Sequence, residues 1–111
     1  MTNRLKRVNP DKHTITMIGF ALKSGQIVRG YDAVVQSAAR DKLSLIMLES
    51  GISANTIQKL TNALRRIKIP VVKTGPGIEW KMLWGIETSR IMGILKGDLG
   101  RNILKNFNAG V

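Results

Sequence analysis

The chain has no cysteine and a single histidine, which excludes a disulfide framework, a thiolate nucleophile and a cysteine-held zinc or iron–sulfur centre. Long apolar runs are missing as well. Nothing approaches the roughly 18 residues that cross a bilayer, and the opening "MTNRLKRVNP" lacks the apolar segment of a secretory signal. The expectation is a cytoplasmic protein with no membrane partner. Acidic residues are scarce: 7 Asp and Glu stand against 18 Lys and Arg, a net charge of +11 over 111 residues. That exceeds what solubility asks of a small domain and points to a polyanion as partner. The first ten residues carry only Arg4, Lys6 and Arg7, so removing them still leaves +8 on the remainder. The excess belongs to the domain itself.

What is present is an ordinary globular pattern. Apolar residues make up 43% and are spread along the whole length, which suits a single domain with one core. Residues 1–11 read as a loose basic arm, closed by "NPD", where Pro10 disfavours helix before it and Asp11 can cap a helix after it. "KHTITMIGFALKSG" then places Ile15, Ile18 and Leu22 on one side at helical spacing, with Phe20 nearby, and Gly25 fits a left-handed end. "QIVR" reads as a short strand. From Gly30 to about Arg40, Val34, Val35, Ala38 and Ala39 form an apolar stripe of helical period. The near-continuous apolar run "LSLIMLE" suggests a central strand covered on both faces. A third helix is capped by Ser53, repeats Ile57, Leu60, Leu64 and Ile67, and cannot pass Pro70. "PVVK" is a strand, "GPG" turns the chain into a short helix over 78–84 ended by Gly85, "RIMGIL" is a strand, and "DLGRNILKNF" is a closing helix. The final residues, 108–111, read as a frayed tail. Strands alternating with helices predict an α/β domain with helices on both faces of a small sheet.

Groups that carry catalysis are hard to find. His13 has only Asp11 nearby, so a triad or metal site would have to recruit distant partners, and a surface or capping role fits better. Gly75, Gly77 and Lys81 look superficially like a phosphate loop, yet "GPGIEWKM" misses the required spacing and reads as a turn. Glu49 ends a strand, where capping of the following turn is as good a reading as a base. The sequence thus predicts no enzyme, no cofactor and no small-molecule substrate. Trp80 and Trp84, four apart on one short helix, share a face and read as core, with partial exposure for stacking left open. Lys59, Arg65 and Arg66 fall opposite the apolar stripe of the third helix and read as a solvated face.

The stretch "QIVRGYDAV" is better explained by binding. If Gly30 begins a helix directly after a strand, the backbone N–H groups of Gly30, Tyr31 and Asp32 point outward with the positive end of the helix dipole behind them. Arg29 can contact phosphate or a guanine edge, Tyr31 offers a ring for stacking, and Asp32 can accept from a base. The plain alternative is that Gly30 relieves a tight turn, Asp32 complements the dipole and Arg29 is merely solvated.

Taken in order, "RGYDAV", "LSLIMLESGISANT", "LTNALRRIKIPVV" and "IEWKMLWGIETSRIMGILKGDLGRNIL" resemble the small bacterial YlxQ-type proteins. These belong to the superfamily of ribosomal and kink-turn RNA-binding proteins that includes archaeal ribosomal protein seven-Ae and eukaryotic ribosomal protein thirty-e of the large subunit. The resemblance spans about residues 12–107. It implies a three-layer α/β/α sandwich around a four-stranded mixed sheet, and a monomer that binds structured RNA, with the ribosome as a candidate partner. It also implies a docking surface. Gly30 matches the glycine of the family's Gly-x-Asn-Glu pattern, Asp32 stands where the asparagine would be, Ala33 where the glutamate would be, and Gln36 where a lysine is usual. A second loop, covering a flipped-out nucleotide, would comprise Gly85, Ile86, Glu87, Thr88 and Ser89 with Arg90 beside it. Gln26, which opens the strand leading to the corner, completes the expected RNA-binding set. A carboxylate cannot donate to guanine O6 as an amide can, and Ala33 makes no polar contact, so the side chains themselves predict phosphate binding rather than reading of G·A pairs. A protein-interaction module of the same fold is the competing expectation.

Overall fold

The structure, a computed structural model, describes residues 5–109. The elements run in the order β1 (Leu5–Val8), α1 (Lys12–Lys23), β2 (Ile27–Arg29), α2 (Tyr31–Ala39), β3 (Leu43–Leu48), α3 (Ala54–Ala63), β4 (Val71–Thr74), α4 (Trp80–Trp84), β5 (Ile91–Leu95) and α5 (Asp98–Ala109). The strands form one five-stranded sheet in the order β1-β4-β3-β5-β2. β1, β4 and β3 are mutually parallel, whereas β5 is antiparallel to both β3 and β2. Helices cover both faces, as the alternation of elements predicts, in a three-layer α/β/α arrangement.

The apolar positions explain this layering. One core cluster gathers Ile18 and Ala21 of α1, Trp80 of α4 and Ile103 and Phe107 of α5 against Leu45, Met47, Val72 and Met92 of the sheet. The other gathers Val34 and Ala38 of α2 and Leu60 of α3 against Ile46, Leu48, Val71 and Ile91. Alternate residues of β3 therefore feed opposite cores, which is why its sequence is apolar almost throughout. Gly93 in β5 lets the sheet close under the second core, since a Cβ there would meet Leu43 and Val28. Trp80 is fully buried, with its indole N–H donating to the Thr74 hydroxyl at 3.2 Å, while the half-buried Trp84 donates to the Ile15 carbonyl at 3.0 Å. Both tryptophans thus read correctly as packing residues.

The sequence expectation of four strands is corrected by β1. Leu5–Val8 falls in the stretch read as a loose arm, yet it pairs in register with β4, Leu5 opposite Val71 and Val8 opposite Thr74. Lys6 fastens it further by donating from Nζ to the Phe107 carbonyl at the end of α5, 3.1 Å away. Residues 1–4 of that arm lie outside the described residues. At the other terminus, α5 continues through Ala109, so residues 108 and 109 of the expected frayed tail are helical, and 110–111 lie outside the description.

Helix boundaries follow local chemistry. Asp11 caps α1 by accepting the Thr14 N–H at 2.8 Å, and that backbone bond, with the Thr14 hydroxyl second, holds its carboxyl below the ordinary carboxylate range. Ser53 caps α3 in the same manner through the Thr56 N–H at 3.1 Å. Gly25 and Gly85 adopt positive φ of 74° and 69° just beyond α1 and α4, where a side chain would be strained.

Candidate nucleic-acid interface

The strand-to-helix corner depends on Gly30. Its φ of 92° and ψ of 159° lie in a region that essentially only glycine enters, so the chain can leave β2 and turn into α2 in a single residue. The Gly30 carbonyl accepts the Val34 N–H at 3.1 Å, opening the helix, while its own N–H donates to the Ile91 carbonyl at 2.9 Å. This second bond corrects the sequence reading: the Gly30 amide belongs to the sheet. The open donors of the corner are instead the N–H groups of Tyr31, Asp32 and Ala33, the first turn of a helix that no side chain caps.

The side chains around these amides divide. Arg29 is exposed and makes no ion pair or side-chain hydrogen bond with any described residue. Its backbone lies opposite Met92, whose side chain enters the α1 core, so the Arg29 side chain leaves the edge strand on the face opposite α2, next to the corner in sequence but not on its face. Tyr31 is half-buried against the second core; its hydroxyl donates to the Lys59 carbonyl at 3.3 Å and Lys59 Nζ sits 4.9 Å from the ring centroid. One face of that ring is therefore already covered by a cation of the same chain. This also places Lys59, which the sequence put on a plain solvated face, next to the corner. Asp32 and Gln36 are exposed one turn apart on α2, with Ala33 half-buried between them.

The loop from α4 to β5 meets this corner at one edge of the sheet. Glu49 is the organising residue. Its Oε2 accepts the Trp80 N–H at 3.0 Å, which caps α4, and its Oε1 holds Arg90 Nη1 at 3.4 Å. The Glu49 N–H also donates to the Arg90 carbonyl at 2.9 Å. Glu49 therefore caps α4, 31 residues on, rather than the turn that follows it, and it also aims an arginine. Because only one terminal nitrogen of Arg90 is engaged and its side chain is 56% exposed, the other guanidinium donors face outward. The guanidinium passes directly over Gly51, where any Cβ would collide with it.

An open groove results, lined by Gly30 and Tyr31 from the corner, by Thr88, Ser89 and Arg90 from the loop, and by Gly51, Ile52, Ser53 and Thr56 from the start of α3. Thr88 and Arg90 are exposed and Ser89 is half-buried. The contribution of α3 escaped the sequence reading, which saw Ser53 only as a cap. Its signal is the small and hydroxyl-bearing run "ESGISANT" leaving the carboxyl end of the central strand, where α/β folds place ligands.

Not every expected residue arrives here. Ile86 is 3% exposed and packs in the first core, so it cannot cover a nucleotide. Glu87 is exposed and pairs with Lys81 at 3.3 Å, on the α4 side of the loop. Gln26 lies at the far end of β2, about 13 Å from Gly30 at strand rise, with Nε2 donating to the Ser24 hydroxyl at 3.4 Å. Among the described residues no three His, Asp or Glu side chains gather where a metal could be held, and no helix is long and apolar enough to cross a membrane.

No protein-family model and no curated protein matches the chain. Solved structures do. One is a protein of unknown function from Bacillus halodurans, 19% identical, with a TM-score of 0.75 over 88% of this chain and 99% of that one. Another is the 15.5kD RNA binding protein of Giardia lamblia, 16% identical, with a TM-score of 0.65 over 93% of this chain and 94% of that one. At these identities the likeness establishes the fold, over nearly the whole length of each neighbour.

Proposed function

We propose that the chain is a non-catalytic RNA-binding protein that seats the backbone of a bent or bulged, kink-turn-like RNA, as a ribosome-associated factor, in the groove between the α2 corner and the α4–β5 loop. The observation carrying this reading is the meeting of two anion-seeking features in one open groove. They are the uncapped first turn of α2 and the outward donors of Arg90, with Arg29 unpartnered on the adjoining strand outside the groove's lining. Helix-start amides and arginine both suit phosphate oxygens, and the net +11 attracts a polyanion from a distance. The fold shared with the 15.5kD RNA binding protein of Giardia lamblia supports the same partner.

Phosphate contact accounts for affinity, and base contact accounts for choice. Asp32 accepts hydrogen bonds only, so it suits an exocyclic amine such as cytosine N4 rather than guanine O6. The hydroxyls of Ser53, Thr56, Thr88 and Ser89 can donate or accept, and they surround the space where an unstacked base would lie.

The test is a titration of a kink-turn duplex against the same duplex with its G·A pairs replaced. We expect the kink-turn form to bind about tenfold more tightly, because only that form presents the bent backbone the groove seats. Equal binding would restrict the function to generic RNA affinity. Binding of neither would overturn the proposal and leave the second reading, a protein-interaction module, which the acceptor-only Asp32 and the apolar Ala33 favour.

A further inference from the structure

A second groove lies away from the corner, between α1 and α4. Gly19 and the edge of Trp84 form its floor, and Ile15, Phe20, Leu22 and Leu83 its walls. Phe20 is 62% exposed, Leu83 38% and neighbouring Met82 80%, a concentration of bared apolar side chains that the RNA site does not use. The groove is built rigidly. Trp84 is tied to the Ile15 carbonyl at 3.0 Å and stands edge-on to buried Trp80, with ring centroids 6.1 Å apart.

Charge narrows the occupant. The outward stripe of α1 reads Lys12, Ile15, Thr16, Gly19, Phe20 and Lys23, a helical row with a lysine at each end. Both lysines are exposed and neither forms an ion pair among the described residues. No acidic side chain lines the groove, and none occurs within α1. Of the carboxylates around α1 and α4, Asp11 caps α1 and Glu87 pairs with Lys81, while exposed Glu79 stands at the start of α4, one turn before Leu83 and outside the groove's lining. Beyond the RNA reading and independent of it, we propose that this groove docks an acidic amphipathic helix of a partner protein. Its apolar face fills the space beside Phe20 and Leu83, and its flanking carboxylates meet Lys12 and Lys23. α1 has 12 residues, about 18 Å of helix, so the complementary segment is about three turns long.

Other occupants fit less well. A second copy would bring the same lysine-ended stripe against itself, like charge on like. A bilayer surface fits a projecting apolar ridge, whereas this surface is concave. RNA needs several phosphate contacts beside its stacking platforms, but although Phe20 and Trp84 offer rings, Lys23 is the one charged member of the lining.

A synthetic amphipathic peptide of about 18 residues, with leucine and phenylalanine on one face and glutamate on the flanks, tests the proposal. Its binding is followed by the fluorescence of the Trp80–Trp84 pair and compared with a scrambled peptide of equal composition, with vesicles of phosphatidylserine and phosphatidylcholine, and with an oligouridylate. Saturable binding of the ordered peptide is expected, about tenfold tighter than the scrambled one. Phe20→Glu should weaken it about tenfold, and Lys12→Glu with Lys23→Glu should do so as well, while affinity for the kink-turn duplex stays unchanged in Phe20→Glu. Phe20→Ala, at the same exposed position, reads the same contact should the charge at that site disturb α1. No peptide binding, or equal binding of the scrambled peptide, overturns the proposal. Tighter Phe20-dependent binding to vesicles or to the oligouridylate overturns it in favour of a membrane or a nucleic-acid surface.

Discussion

The groove at the α2 corner and the groove between α1 and α4 are made of opposite materials. The groove at the sheet edge is lined by glycines, hydroxyls, backbone amides and one aimed arginine, and the groove between α1 and α4 by aliphatic and aromatic side chains between lysines. The first suits a ligand recognised through oxygens, the second one recognised through apolar area. They are nonetheless linked through α4, which lines the apolar groove with Leu83 and Trp84 and does not line the polar one. α4 is fixed to the polar groove by Glu49, which accepts the Trp80 N–H while holding Arg90, and to the apolar groove by Trp84. A five-residue helix thus connects two kinds of chemistry and depends on Trp80 for its seat.

The strongest break of that comparison is Trp80→Ala. Removing a fully buried indole whose N–H bonds Thr74 should cost about 3–5 kcal/mol, a large part of an ordinary domain's stability. Urea unfolding measures the loss, and in the folded fraction affinity for both the duplex and the peptide should fall together. A variant that keeps one groove at full strength would show that α4 does not join them. A smaller and one-sided effect is expected from Gly51→Ala. The backbone there is ordinary, so the methyl mainly pushes the Arg90 guanidinium off its place over Gly51. Duplex affinity should drop about fivefold, near 1 kcal/mol, with peptide binding and the unfolding midpoint unchanged. An unaltered duplex affinity would remove Arg90 from the interface.

Much of the fold was legible because its signals are local. The Ser53 cap, the left-handed Gly25 and Gly85, the uninterrupted apolar run of β3 and the Pro70 stop each act within a few residues. β1 was not legible, since "LKRV" carries two charges and becomes a strand only through pairing with β4, a partner 66 positions away in the register of Leu5 and Val71. The site divides in the same manner. Gly30 announced its own corner, but its amide proved to be committed to Ile91, a contact across the sheet that local reasoning does not see. Ile86 and Gln26 failed for a related reason: neighbours along the chain of real groove residues, they are turned inward or carried to the other end of a strand by tertiary placement. Arg90 and Glu49 are the converse case, 41 residues apart in sequence and joined in one ion pair.

The account rests on phosphate contact by the cations that flank the α2 corner, and the salt dependence of RNA affinity tests it most directly. Four to six contacts give the native chain a slope of log affinity against log salt of roughly 3 to 5 in magnitude. Arg29→Ala combined with Arg90→Ala should weaken binding and lower that slope by about 1.4 to 1.8, two phosphates' worth, without altering the fold. A double variant with the native slope and affinity would contradict the account, for RNA would then be held by some other face of the molecule.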